Sequence, residues 1–251
     1  MKKKPVFYTE LCYVLGILIL AVGASLLVKA NFGVSVVVSP AYLVHLKVSE
    51  TWSFFTFGLA EYVVQGTLLL LLILLVRRFH WSYLFSFVTA LFYGFVLDRV
   101  LFVFSLFSFQ HLGLRIGFFL LGLFLCAIGV SLVLHTYLSP EVYELLIREL
   151  SARYTWKLGK VKTVYDCVSC LVAITLSFVF FGLFQFHGIG IGTVISALVN
   201  GTLISFISRF LESQFTLCPA FPNIQHLFSP PAFLHTQEQA VSNEEDSLEY
   251  K

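Results

Sequence analysis

The stretch CAIGVSLVLHTYLSPEVYELLIREL, residues 126–150, decides the fold because it changes from an apolar helix to a charged one at Ser139-Pro140. The apolar part suits a lipid bilayer, whereas the part after Pro140 carries acidic and basic side chains. Serine at an N-cap followed by proline at the first helical position is a common helix start. A short new helix is therefore predicted over 139–150, directly after a membrane span.

The rest of the chain has the composition of a polytopic membrane protein. Of its 251 residues, 58% are hydrophobic and 12% are charged. A bilayer core about 30 Å thick needs about 20 apolar residues per helix. Runs of this kind predict six transmembrane helices, over 11–28, 54–76, 83–107, 116–134, 164–184 and 193–210. The stretch LLLLLILLV (68–76) is apolar on every face, unlike the alternating strands of a β-barrel.

Two blocks of sequence recur and predict a duplication. AVGASLLVKANFGVS (21–35) aligns with AIGVSLVLHTYLSPE (127–141), pairing Gly23 with Gly129 at an offset of 106 residues. TALFYG (89–94) aligns with SALVNG (196–201) at an offset of 107. Because each half holds three spans, an odd number, the second half enters the membrane in the opposite orientation. The predicted fold is an all-α membrane protein of two inverted three-helix repeats, the architecture of many secondary transporters.

A Ser-Pro pair follows the first span of each half: Ser39-Pro40 opens SPAYLVHL (39–46) and Ser139-Pro140 opens SPEVYELLIREL (139–150). In an inverted repeat, the two helix N-termini approach from opposite faces and offer backbone N–H groups to an anion or a polar group. The alternative is that both pairs simply start interfacial helices in loops.

Few polar side chains lie inside the spans, where an ionisable group costs about 2.5–3.5 kcal/mol and is a functional candidate by default. Asp166 lies in the fifth span, and Gln65 is its repeat partner at an offset of 101. Lys162 lies four residues before Asp166, so a purely structural ion pair is the alternative there. Glu141 follows Pro140, where helix capping alone could explain it.

Asp98-Arg99 ends the third span and indicates either a salt bridge, a pore-facing acid or an interfacial pair. Lys29 and Glu61 lie near helix ends, where long side chains reach the interface, and they rank lower. The predicted substrate-binding residues are therefore Glu141, Asp166, Gln65, Asp98, Lys162, Ser39, Pro40, Ser139 and Pro140.

Charge predicts the orientation, since Lys and Arg concentrate in cytoplasmic loops. If both termini are cytoplasmic, the cytoplasmic segments carry ten basic residues: Lys2, Lys3, Lys4, Arg77, Arg78, Arg148, Arg153, Lys157, Lys160 and Lys162. The segments on the other side of the membrane carry four: Lys29, Lys47, Arg99 and Arg115. The predicted organisation is a cytoplasmic N-terminus (1–10), two membrane repeats (11–110 and 111–215) and a polar, flexible cytoplasmic tail (216–251).

Four segments carry a resemblance to a known family: GKVKTVYDCVSCLVAITLSFVFFG (159–182), GTVISALVNG (192–201), YGFVLD (93–98) and GVSVVVSPAYL (33–43). Over about residues 10–212 the chain resembles the YitT/YczE/YyaS-type bacterial integral membrane proteins. The resemblance implies a multi-pass protein of the bacterial cytoplasmic membrane. It maps the family's glycine-lysine-valine-lysine…aspartate stretch onto Gly159–Asp166, its proline-acid step onto Pro140-Glu141 and its third-span aspartate onto Asp98. A Gly-Glu-Gly pattern of the family reads Glu141-Val142-Tyr143 here, and an asparagine of its second span is Gln65.

These observations predict a secondary transporter or permease for a small solute or ion, with its site near the midplane. The alternative is a non-transporting membrane scaffold that acts through a partner protein, bound by its tail. We expect no enzyme, because no nucleophile and base are paired, and neither a cofactor nor a metal, because CVSC (167–170) lacks a second ligand pair. Beyond the lipid bilayer and a solute no partner is predicted, nucleic acid is not expected, and homo-oligomerisation stays open.

Overall fold

A computed structural model describes residues 5–77, 79–106, 111–156, 158–182 and 188–220. Its elements in chain order are β1 (Val6–Tyr8), α1 (Thr9–Ala30), α2 (Ser39–Ser49), α3 (Phe57–Val76), α4 (Trp81–Ser105), α5 (Leu112–Leu134), α6 (Val142–Tyr154), α7 (Leu158–Phe181), α8 (Ile191–Gln214) and β2 (Thr216–Cys218). Within these residues, six helices are long and apolar enough to cross a membrane: α1, α3, α4, α5, α7 and α8. The six predicted spans are confirmed, and the protein is a multi-pass membrane protein.

Helices α1 and α5 form the centre of the bundle. About half of each span is buried (50% and 56%), against 22–33% for the other four. They cross at glycines, where no side chain separates the two backbones. A methyl group added to Gly129 would lie 2.7 Å from the carbonyl oxygen of Gly16, and a methyl group added to Gly23 would lie 2.9 Å from the carbonyl oxygen of Gly122. Small residues at such crossings let membrane helices approach closely. Around this pair, α1 packs on α4 and α5 on α8, while α2 packs on α7 and α3 on α6.

Both ends of the described chain lie on one face of the bundle, which we call the terminal face. β1 and β2 pair in parallel, with Val6 opposite Thr216. The Glu10 carboxylate at the start of α1 accepts hydrogen bonds from the Tyr137 hydroxyl (2.8 Å) and the Ala220 amide (3.0 Å). Six spans, an even number, bring the two ends of the chain to the same face of the bundle.

The short helix α6 begins deep in the bundle and runs back to the terminal face. Its first amide, Val142 N, donates to Gln65 Oε1 near the middle of α3 (3.1 Å), and the Ser139 carbonyl before it accepts from Thr89 Oγ1 of α4 (2.9 Å). At its other end, Arg153 donates to the carbonyl oxygen of Val76, the last residue of α3 (2.6 Å). The segment therefore enters the bundle and returns to the face from which it came.

The short helix α2 is directed to the opposite face. His45 Nδ1 lies 2.8 Å from the Phe55 carbonyl oxygen just before α3, and Lys47 Nζ lies 5.7 Å from the ring centroid of Phe181 at the end of α7. The residues directly before α2, among them Val37, are buried in the centre of the bundle. α2 and α6 thus start centrally and end on opposite faces.

Both predicted short helices are present, but neither has serine as N-cap with proline at the first helical position. α6 begins at Val142, because its N-cap residue is Glu141 and the first amide is bound by Gln65 rather than by Ser139. α2 begins at Ser39 itself, with Pro40 in its first turn and Val38 as N-cap, and the Ser39 hydroxyl donates backwards to the Ser35 carbonyl oxygen (2.9 Å).

Candidate functional site

A cavity that is partly open to the outside of the bundle lies between the starts of α2 and α6, and the empty space in it, the open part included, is about 450 Å³. Its wall is built largely from residues at matching positions of the two halves of the chain. At an offset of 106 or 107 residues, the lining pairs Leu20 with Cys126, Ala24 with Val130, Ser35 with Glu141, Val37 with Tyr143, Val38 with Glu144, and Tyr93 with Asn200. Lys162 of α7 completes the lining.

Glu141 is the buried acid of this cavity, with 4% of its surface exposed. Its Oε2 accepts a hydrogen bond from Gln65 Nε2 (3.2 Å), while its Oε1 has no hydrogen-bond partner among the described residues. Burial raises the pKa of Glu141 well above its usual range, and the negative charges of Glu144 and Glu61 raise it further. The hydrogen bond from Gln65 acts in the other direction and is the weakest of these influences.

Gln65 connects Glu141 to a second buried acid. Its Oε1 accepts from Val142 N, which fixes the amide so that Nε2 faces Glu141 and also donates to Glu61 Oε2 (3.2 Å). The same Glu61 oxygen accepts from the Tyr143 hydroxyl (2.8 Å), and Glu61 Oε1 has no partner in the described part of the chain. One amide thus holds two carboxylates and the start of α6 together.

Glu61 is therefore a site residue that its position near a helix end led the sequence interpretation to rank low. Its side chain is fully buried rather than extended to the interface. The available signal was its spacing of four residues from Gln65, which puts both side chains on one helix face.

Lys162 and Asn200 contribute the remaining polar wall. Lys162 Nζ lies 3.6 Å from Asp166 Oδ1, so the predicted pair is present, with Lys162 lining the cavity and Asp166 behind it. Asn200 of α8 is 8% exposed, and its Oδ1 has no hydrogen-bond partner within the described residues. The sequence analysis did not single out Asn200, although it occupies the position that matches Tyr93 in the second repeated block.

With this geometry in place, residues 7–209 match a family of unknown function, DUF6198, over most of the chain. The chain belongs to the DUF6198 family. No curated protein and no solved structure matches it. The family match does not bear on the resemblance to YitT/YczE/YyaS-type proteins, which stays a prediction.

Other predicted site residues of this DUF6198 protein lie elsewhere. The Asp98 carboxylate accepts from Thr56 Oγ1 (2.6 Å) and Gly58 N (2.8 Å), so it binds the start of α3. Arg99, its sequence neighbour, instead stacks over the Phe95 ring at 5.0 Å. Neighbouring residues of a helix do not face each other, and the two charges accordingly do not meet.

The Ser-Pro residues of the DUF6198 chain form the backbone around the cavity rather than its lining. The hydroxyl of Ser39 and the carbonyl of Ser139 are engaged in the hydrogen bonds described above, and Pro40 and Pro140 adjoin them in the chain. Across the described ranges, no three His, Cys, Asp or Glu side chains come together as a metal-binding group.

Proposed function

We propose that this protein is a secondary transporter that moves a small solute across the membrane through the cavity between α2 and α6. The observation that carries the proposal is the set of six lining pairs, five at an offset of 106 residues and one at 107, so that corresponding residues of the two halves line one cavity. Two inverted repeats related by a twofold axis through the cavity would produce this pattern.

The packing of the central helices supports the same symmetry. Gly16 and Gly23 correspond to Gly122 and Gly129 at the offset of 106, and the crossing pairs Gly16 with Gly129 and Gly23 with Gly122. A twofold axis that exchanges α1 and α5 converts the Gly16–Gly129 contact into the Gly23–Gly122 contact, and the reverse. The contacts of α2 with α7 and of α3 with α6 exchange in the same way.

Helices that start near the midplane and end on opposite faces are a common element of transporter sites. Rocking of one repeat against the other around the cavity would expose it to each face in turn. Glu141 Oε1 and Asn200 Oδ1, which have no partner among the described residues, supply the groups that a solute would bind. The location we propose is the bacterial cytoplasmic membrane, with both termini in the cytoplasm.

The test is solute-driven current or uptake in liposomes that contain the purified full chain, with amines, carboxylates, amino acids and sugars as probes. We expect saturable transport of at least one class. Glu141→Gln should abolish it, whereas Glu50→Gln, which removes a half-exposed carboxylate paired with Lys47, should leave it unchanged.

A chain truncated after Ala220 separates transport from a scaffold role. The truncation keeps the hydrogen bond from the Ala220 amide to Glu10 and removes only the tail. A transporter keeps its flux without the tail. Liposomes with the full chain that move no probe faster than empty liposomes would overturn the proposal and favour the scaffold.

A further inference from the structure

Within the described part of the chain, the polar atoms of the cavity lining that lack partners are hydrogen-bond acceptors. Glu141 Oε1 and Asn200 Oδ1 are both more than nine-tenths buried, and both residues line the cavity. A buried acceptor without a donor costs free energy until a ligand supplies one. The cavity therefore suits a ligand that donates hydrogen bonds.

Three of the backbone amides at the helix starts, which would suit an anion, are already engaged. Val142 N donates to Gln65 Oε1 (3.1 Å) at the start of α6. At the start of α2, the amides of Val38 and Ser39 both donate to the Ser35 carbonyl oxygen, at 3.2 and 3.0 Å, and Pro40 has no N–H. An anion would meet carboxylates at the cavity and find these amides occupied.

Acidic side chains outnumber basic ones around the cavity. Glu141 and Glu144 line it, and Glu61 lies behind Gln65. Lys162 is the basic side chain of the lining, and it lies 3.6 Å from Asp166. Buried carboxylates need a cation or a proton, because isolated charge is costly in a poorly solvated site.

The two halves of the lining differ in chemistry. At matching positions, Ser35, Val37 and Val38 come from the first half, and Glu141, Tyr143 and Glu144 from the second. Tyr93 and Tyr143 add aromatic faces, which attract organic cations. One wall is thus apolar and the other acidic, and a ligand with a cationic end and an apolar end matches both.

Resting on the proposed transport function, we propose that the cavity binds a small organic ammonium or guanidinium ion in exchange for a proton on Glu141. When the cation enters, its N–H groups donate to Glu141 and Asn200, and the carboxyl proton of Glu141 leaves to water. When the cation departs, Glu141 takes up one proton again. The net charge of the cavity is the same with protonated Glu141 as with ionised Glu141 and a bound cation. The protein can therefore change its conformation between the two faces in either state.

Other groups around Glu141 set the pH at which this exchange occurs. The titratable and charged groups that influence it, directly or through its immediate neighbours, are Tyr13, Glu61, Tyr93, Cys126, Tyr143, Glu144, Arg148, Lys162, Tyr165 and Asp166. Arg148 donates to the Leu134 carbonyl oxygen, and Lys162 lies beside Asp166. Glu141 is the acid of the lining that has an unpartnered oxygen, so we assign the exchanged proton to it.

The test is calorimetric titration of the full chain in detergent with four probes: n-butylammonium, guanidinium, potassium and n-butyrate. We expect at least one of the two organic cations to bind, with release of about one proton per cation. Its affinity should fall about tenfold per pH unit on the acid side of the Glu141 titration, as for any ligand that competes with one proton.

Variants separate the roles of the Glu141 and Asn200 side chains. Glu141→Gln should weaken cation binding at least tenfold and abolish proton release, whereas Glu50→Gln should bind as the unchanged chain does. Asn200→Ala should weaken cation binding but keep the release of one proton. If Glu141 and Asn200 had only structural roles, the two variants would not differ in proton release. The Asn200 variant also keeps the test decisive if Glu141→Gln does not fold.

Three outcomes would overturn the inference. Neither organic cation binds, whether or not butyrate does; potassium binds as well as the organic cations; or an organic cation binds without proton release. The transport proposal is judged separately, because flux of butyrate or a sugar in liposomes would support it even where the cation inference fails.

Discussion

At the scale of single residues, Glu141 combines a structural cost with a functional use. It occupies the N-cap position of α6 without a side-chain cap, and one of its oxygens has no protein partner in the described structure. A buried acid of this kind favours the protonated form in the folded state. Its protonation therefore contributes to the stability of the fold as well as to the site.

The first prediction concerns this contribution. The pKa of Glu141 is raised on folding, so the folded state holds its proton more tightly than the unfolded chain, whose glutamate pKa is about 4.3. The stabilisation is complete below that pH and is lost as pH rises through the raised pKa. Melting temperatures in detergent should therefore fall as the pH rises above the pKa of the unfolded glutamate, and Glu141→Gln should flatten this slope. Equal slopes for both proteins would contradict the assignment.

Asp98 provides the contrasting case, a carboxylate that serves the fold. It accepts from Thr56 Oγ1 and from Gly58 N, and so binds the start of α3. Asp98→Ala should destabilise the protein by about 1–2 kcal/mol, the typical cost of losing a helix cap. Binding of an organic cation should keep its affinity once the variant is folded. A loss of affinity at unchanged stability would instead place Asp98 in the site.

At the scale of helices, hydropathy was sufficient to predict six spans but not where the short helix α6 begins. A long apolar run must be helical in a membrane, since the backbone has no other way to satisfy its hydrogen bonds. The start of α6 depends on Gln65, 77 residues away in sequence. A local capping rule favours Ser139 and cannot anticipate such a partner. The contact of Glu61 with Tyr143, 82 residues away, is equally beyond a local rule, although its spacing of four residues from Gln65 is a local signal.

The glycine crossing of α1 and α5 yields a prediction at this scale. Gly129→Ala would bring a methyl group to 2.7 Å from the Gly16 carbonyl oxygen and the Leu20 amide, both rigid backbone atoms. The helices must separate, so the melting temperature should fall by several degrees. Gly201→Ala in α8 is the matched control, because no atom of the described residues lies within 4 Å of its added methyl group. Equal melting temperatures for the two variants would show that the crossing tolerates the extra volume.

At the scale of the whole molecule, the repeat pattern anticipated more of the cavity than any single motif did. The sequence match that paired Gly23 with Gly129 also paired Ser35 with Glu141, and both of these residues line the cavity. Which polar residues converge there could not be read from one helix at a time. Lys162, for instance, enters the wall from α7 while its pair partner Asp166 lies behind.

Orientation in the membrane gives the last prediction. Thr155, just after α6, lies on the terminal face, and Thr51, just after α2, on the opposite one, and both are exposed. The concentration of Lys and Arg near the terminal face predicts that it is cytoplasmic. In intact cells, a membrane-impermeant maleimide should label Thr51→Cys, and it should reach Thr155→Cys only after permeabilisation. The unchanged chain, labelled in parallel, corrects for its own five cysteines. The reverse labelling pattern would invert the predicted orientation. Labelling of both sites in intact cells would contradict the conclusion that α2 and α6 end on opposite faces of the membrane.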